Sequence, residues 1–180
     1  MSDFDLSSPE LAETGASDGD IDRDYFDHVR KINDIFYDQV KISDQKAAYI
    51  FTFILAFLIS SEDVRGVFTW QRYTDGDVGA ILCSLALGAS AVYSLLCAII
   101  VVLPRRFPTS TSLFWGTWTR HRDILKAAAE RRDPAYLFNE YLQNADTLAA
   151  ISRAKYRFVT LAFRGLIVTV LAYVALLVAV

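Results

Sequence analysis

The chain has 180 residues, enough for one ordinary domain, yet 53% of them are hydrophobic and the mean hydropathy is +0.27. Roughly a third of the sequence lies in apolar stretches that a soluble core of this size does not need, which argues against an ordinary water-soluble fold. The formal net charge of −3 hides an uneven distribution, because the first 22 residues carry seven acidic groups and no Lys or Arg.

Residues 1–23 mix Asp, Glu, Ser and Gly without helical periodicity and are expected to form a disordered acidic tail. Asp18, Asp20 and Asp22 alternate like the opening of a calcium loop. Arg23 stands where that loop needs Gly, however, and Val29 where it needs Glu, so the stretch reads as solvated acid. A cleavable secretory signal needs basic residues and then an apolar run; this acidic, Ser-rich start offers neither, and the first span is expected to act as the targeting signal.

From residue 24 the pattern changes. Tyr25, Val29, Ile32, Phe36 and Val40 recur at intervals of four and three, which predicts an amphipathic helix over 24–46. Its apolar stripe packs against the rest of the soluble region in the plainer reading, and forms an oligomer seam or a membrane-surface helix in the alternative. Residues 47–61 are uncharged and about 22 Å long as a helix, short for a hydrocarbon core near 30 Å. Lys46 at one end can snorkel, so a transmembrane helix is still predicted. Residues 62–77 form a short connecting loop whose Phe68, Trp70 and Tyr73 suit a membrane–water interface.

The clearest span is 78–103, without a charge. It holds both cysteines, Cys83 and Cys97, about four turns apart on one helix, where they cannot pair, so no disulfide framework is expected. Within it Ala80, Ser84 and Gly88 repeat every four residues, followed by Ala91. That spacing lets helix backbones approach closely, equally well within one chain or between copies.

Residues 104–157 read as a second helical region. Thr109, Ser110, Thr111 and Ser112 offer caps before Leu113, and Asp133 followed by Pro134 marks another start. The helix from Pro134 is expected to run directly into the last span, 158–180, whose only charge is Arg164. That residue either lines a pore in an assembled oligomer or, the favoured reading, snorkels to the nearer interface. Ten Lys or Arg lie within 104–157, five before the first span and two in 62–77. The positive-inside rule therefore places the amino terminus and the second helical region in the cytoplasm.

Catalytic and metal-binding sets are not evident. The histidines are His28 and His121, no cysteine lies outside the spans, and no phosphate-binding Gly loop occurs, so neither an enzyme nor a bound metal or cofactor is expected. Trp115, Trp118, Arg120 and Arg122 form the sharpest constellation, with Arg105, Arg106, Arg131 and Arg132 nearby. Aromatic faces stack a base and guanidinium forks hold phosphate, which makes these four the candidate nucleotide-binding residues. Interfacial Trp and basic residues beside a bilayer are the plainer explanation of the same pattern.

The order of short motifs around three spans resembles a known family. Asp44, Lys46 and Ala47 open the first span; Pro104 and Leu113-Phe114-Trp115-Gly116 follow the second; Asn144, Ala145, Lys155, Tyr156 and Arg157 lead into the third. In these features the chain looks like the transmembrane effectors of Pycsar, the bacterial anti-phage systems built on pyrimidine cyclases, over roughly residues 25–177. The resemblance implies an all-α effector in the bacterial inner membrane, with residues 62–77 in the periplasm. It also implies activation by cyclic UMP or cyclic CMP made by a partner cyclase, followed by membrane impairment and abortive infection. Membrane lipids, the cyclic nucleotide and further copies of the chain are then the expected partners, and nucleic acid is not. The competing expectation is a structural or regulatory membrane subunit that recruits a protein partner without a nucleotide.

Overall fold

The computed structural model describes residues 18–74, 77–104, 111–113 and 115–179, and for residues 18–21, 115 and 179 the backbone alone. Most of the acidic tail, together with Arg105, Arg106, Thr109, Ser110 and Phe114, lies outside the described residues. No strand occurs among those described. The protein is all-α, and three of its helices are long and apolar enough to cross a membrane.

Helix α1 spans Asp18–Ser60 without a break. It starts ahead of residue 24 because Asp18, Asp20 and Asp22 fall in its first turns, where negative charge is favourable beside unpaired backbone N–H groups. The amphipathic segment and the short apolar segment are therefore one rod, about 65 Å long.

Beyond α1, the stretch expected to be a simple loop is built. Ser61 caps helix α2, Glu62–Gly66, by accepting a 3.3 Å hydrogen bond from the Val64 N–H, and α3 covers Gln71–Thr74. Val64 and Val67 are buried against Leu87, Ala172 and Leu176 of the neighbouring spans, and Val67 reaches Gly88, ten residues down the next helix. The Tyr73 hydroxyl donates to the Val67 carbonyl at 2.6 Å. Val64 and Val67 are the buried residues of this folded-back cap, while Phe68 and Trp70 are exposed on it, as suits a membrane–water interface. Sequence reasoning missed the cap because Val64 stands alone between Asp63 and Arg65, and Val67 merges with the interfacial Phe68 and Trp70.

Helix α4, Val78–Val102, runs antiparallel to α1. Ala80, Ser84, Leu87, Ala91, Ser94, Ala98 and Val101 are buried along it at alternating intervals of four and three. Helix α5, Trp118–Glu130, follows a 3₁₀ turn at Trp115–Thr117, and α6 extends over Pro134–Ala179. The last start was signalled in sequence: Asp133 Oδ1 accepts the Tyr136 N–H at 3.2 Å, just ahead of Pro134. The earlier start falls at Trp118, past Leu113, because Thr111 and Ser112 bond to α6 instead of capping a helix.

Small residues of α4 make contacts within the chain: Gly88 faces Val67, Ser84 accepts from Arg72, and Ser90 and Ser94 meet α6. Ser94 Oγ donates to the Ala162 carbonyl at 2.5 Å, and the Ser90 and Thr169 hydroxyls lie 2.9 Å apart. Gly165 crosses α4 so closely that an added Cβ would stand 2.9 Å from Ser94 Cβ and 3.3 Å from its Cα. A side chain there must push the helices apart. Gly165→Val is expected to destabilise the protein by about 2 kcal/mol, read as a lowered unfolding midpoint in detergent. Gly66→Ala, where a Cβ meets nothing within 4 Å, is the matched control and should leave the midpoint nearly unchanged.

Candidate functional site

Contacts between α1 and α6 advance together along both helices, so the two run parallel. Phe26 meets Tyr141 edge-on at 5.3 Å, Asn33 meets Asn144, Asp44 meets Lys155, and Phe57 meets Tyr173 edge-on at 4.9 Å. On α1 the residues turned inward are Val29, Asn33, Phe36, Val40, Ser43, Ala47, Ile50 and Ile54, at intervals of four and three. The same alternation runs along α6 from Tyr141 through Ala145, Leu148, Ser152, Lys155 and Val159 to Leu176. This is a heptad seam, the spacing that keeps one face of each helix on its partner. It continues from the extramembrane part into the spans.

Polar groups fix its register. Asn33, 6% exposed, donates to the Val29 and Tyr141 carbonyls at 2.9 Å and accepts from Asn144 Nδ2 at 2.7 Å. Asn144 Oδ1 in turn accepts from the Thr111 hydroxyl at 3.3 Å. About three turns further on, Lys155 donates to Asp44. The Tyr156 hydroxyl donates to Gln39 Oε1 at 2.5 Å, and the Lys46 ammonium lies 5.4 Å from the centre of the Tyr156 ring. The sequence separation is 111 for both Asn33–Asn144 and Asp44–Lys155. A buried polar pair has one good alignment, so these contacts disfavour sliding of α1 along α6.

The residues ahead of α5 are anchored to the same face of α6. Glu140, 8% exposed, accepts the Ser112 N–H at 2.5 Å, and the Thr117 hydroxyl donates to the Thr111 carbonyl at 3.1 Å. Burial and the neighbouring Glu140 charge hold the Tyr136 phenol above its usual pKa. Trp115 lies in the 3₁₀ turn and Trp118 opens α5, half-exposed. Arg120 and Arg122 are exposed, and Arg122 Nε stands 3.4 Å from Asp123 Oδ1. Helical geometry puts Trp118 and Arg122 on one face and Arg120 about 200° round from Trp118, so those three do not converge on one pocket.

Two extramembrane cavities lie elsewhere. One of about 600 Å³ sits between the starts of α1 and α6, lined by Arg23, Tyr25, Phe26, Pro134, Leu137 and Phe138 among others. A second, of about 350 Å³, lies between α5 and α6 against Leu125, Ala128, Arg132 and Tyr136. The first combines aromatic faces with a guanidinium and has a volume within the usual range of small-molecule sites. It was not singled out from sequence, because its walls come from segments more than a hundred residues apart. Among the described residues no cluster of His, Cys, Asp or Glu has the makings of a metal site.

Fold and site together define an all-helical membrane protein in which two continuous helices join the spans to a helical extramembrane region. A family model for the Pycsar effector protein domain matches residues 28–180. The chain belongs to this family: it is a Pycsar anti-phage effector with a transmembrane domain, and the family is not a catalytic one. Comparisons with curated proteins and with solved structures returned no match.

Of the residues that carried the resemblance, Asp44, Lys46, Lys155 and Tyr156 make the polar contacts near the membrane end of the seam, Asn144 bonds to both Asn33 and Thr111, and Ala47 and Ala145 are buried in the seam. Asn33, Gln39 and Glu140 were missed. A signal existed for Asn33, a polar residue on the apolar stripe between Val29 and Phe36. The Lys155 side chain is 9% exposed and Asp44 38%, so removing the acid strands a buried cation, whereas Lys155→Met removes the charge and keeps the volume. Asp44→Ala is expected to cost about 2 kcal/mol and Lys155→Met markedly less, measured by equilibrium unfolding in mixed detergent. Equal losses would show that breaking the pair costs the same from either side and that the stranded Lys155 cation carries no extra penalty.

Proposed function

We propose that this effector senses a cyclic pyrimidine mononucleotide, cyclic UMP or cyclic CMP, and responds by impairing the bacterial inner membrane, so that an infected cell stops growing before the phage completes its cycle. The extramembrane helices face the cytoplasm in this reading, the α2–α3 cap faces the periplasm, and several copies assemble. The observation that carries it is the continuity of α1 and α6. A ligand that prefers one arrangement of their outer ends shifts the arrangement of the spans by the same difference in affinity, with no flexible joint to absorb the motion. Membership of the Pycsar effector family supplies the biological setting.

Of the four residues expected from the sequence, Trp118 and Arg122, which share one face of α5, are the proposed nucleotide contacts, with Trp115 in the preceding 3₁₀ turn, while Arg120 points away from them. Base stacking on indole and phosphate capture by guanidinium are the interactions they offer.

The test is dye release from liposomes containing the purified protein, with its extramembrane helices facing the added solution. Cyclic UMP, cyclic CMP, cyclic AMP and buffer are compared. Release with one pyrimidine nucleotide only is the expected result; Arg122→Ala protein should need at least tenfold more nucleotide, the loss of about 1.4 kcal/mol of binding, and Arg120→Ala should change the requirement little. Unchanged sensitivity in Arg122→Ala would remove that arginine from the site. Absence of release from inserted, folded protein would favour a membrane subunit that acts through a protein partner.

A further inference from the structure

Arg153, Arg157 and Arg164 of α6 are all exposed. Their spacings of four and seven residues bring them within about 40° of one another around the helix, so they form one ladder descending about 16 Å from the extramembrane part into the span. The ion pairs formed among the described residues are Arg122–Asp123 and Lys155–Asp44, so none of the three is neutralised there. Asp146, on the same face two turns above Arg153, does not reach it. Tyr93 of α4 packs its ring over Gly165, next to Arg164.

Below Arg164 the character of the face changes. Val168 and Leu171 are exposed on it at 48% and 64%. Beside them an apolar groove of about 280 Å³ opens between α1 and α6, lined by Phe53, Leu166, Ile167, Val170 and Leu171. Cations above an apolar groove match an amphiphile with an anionic head, and fit a free phosphate or a nucleotide poorly. Side chains on a helix lean toward its N-terminus, which for α6 is the extramembrane end. Arg164 therefore reaches back over the roughly 10 Å rise toward Arg157, and Arg157, leaning the same way toward Arg153, leaves space between the two for one phosphate that the Arg164 fork meets from below.

We propose that this face binds an anionic phospholipid, its phosphodiester held between Arg157 and Arg164 with Arg153 above, and one acyl chain laid in the Phe53–Leu171 groove. The site anchors α6, and through the groove α1, to the leaflet on the extramembrane-helix side. It is independent of nucleotide sensing.

The test uses full-length protein in nanodiscs of phosphatidylcholine containing a trace of spin-labelled phosphatidylglycerol or spin-labelled phosphatidylcholine, and compares the motionally restricted fraction of each. Phosphatidylglycerol should be enriched severalfold at wild-type protein, and the preference should fall about fivefold for each arginine lost in Arg157→Gln and Arg164→Gln. Arg164→Lys should restore part of it. Lys31→Gln/Lys41→Gln removes two exposed cations from α1 and should leave the preference intact; an equal loss there would reduce the effect to diffuse charge and overturn the site. Displacement of the labelled lipid by millimolar glycerol phosphate would overturn the acyl-chain contribution. An unchanged preference in the combined Arg157→Gln/Arg164→Gln variant would refute the proposal.

Discussion

The pairing of α1 with α6 has to hold in two solvents. Outside the membrane, burial of Val29, Phe36 and Val40 against α6 removes apolar surface from water and is itself a driving force. Within the bilayer that force is absent, since lipid tails are as apolar as the side chains they would replace. Close packing of Ala47, Ile50 and Ile54 against Val159 and Ala162 takes over there. A single heptad spacing serves both regimes, and the polar contacts gather in the extramembrane part and near the border between them, where a slip of register would otherwise be least costly. Asn33, Asn144, Asp44 and Lys155 are placed where specificity matters more than attraction.

The remaining parts follow from that pair. Helix α4 must return across the membrane against both long helices, so it presents Ala and Ser to them and takes hydroxyl contacts at Ala162 and Thr169, while Gly88 admits Val67 of the cap. The apolar part of α1 ends early, and α2 folds Val64 and Val67 back under α4 and α6 to complete the bundle. On the other side, Glu140 and Asn144 hold Ser112 and Thr111 on α6, so the approach to α5 is tied to the seam.

Much of this was legible in the residues. The three apolar runs, the amphipathic stretch after residue 24 and the Asp133-Pro134 start are local signals, and each depends on a period or a cap that sequence displays directly. Partners were not legible. That Asp44 belongs with Lys155, or Tyr156 with Gln39, depends on which helices lie parallel, and nothing local to either residue states it. The candidate quartet shows the same limit: Trp118, Arg120 and Arg122 are close in sequence, but two helical positions carry Arg120 to the opposite side of α5. Proximity in sequence is a fair guide on a loop and a poor one on a helix.

The central claim is that the extramembrane region acts on the spans through the α1–α6 seam, and a reversible lock on that seam tests it most directly. Asn33→Cys/Asn144→Cys joins the two helices where their side chains already meet, in a background with Cys83 and Cys97 replaced by Ala. Dye release triggered by the cyclic nucleotide is then measured with the disulfide formed and after its reduction. The account predicts that release is lost in the oxidised protein and recovers on reduction. Full release from completely oxidised protein would contradict it, because the spans would then be responding without any rearrangement of the helices that connect them to the ligand.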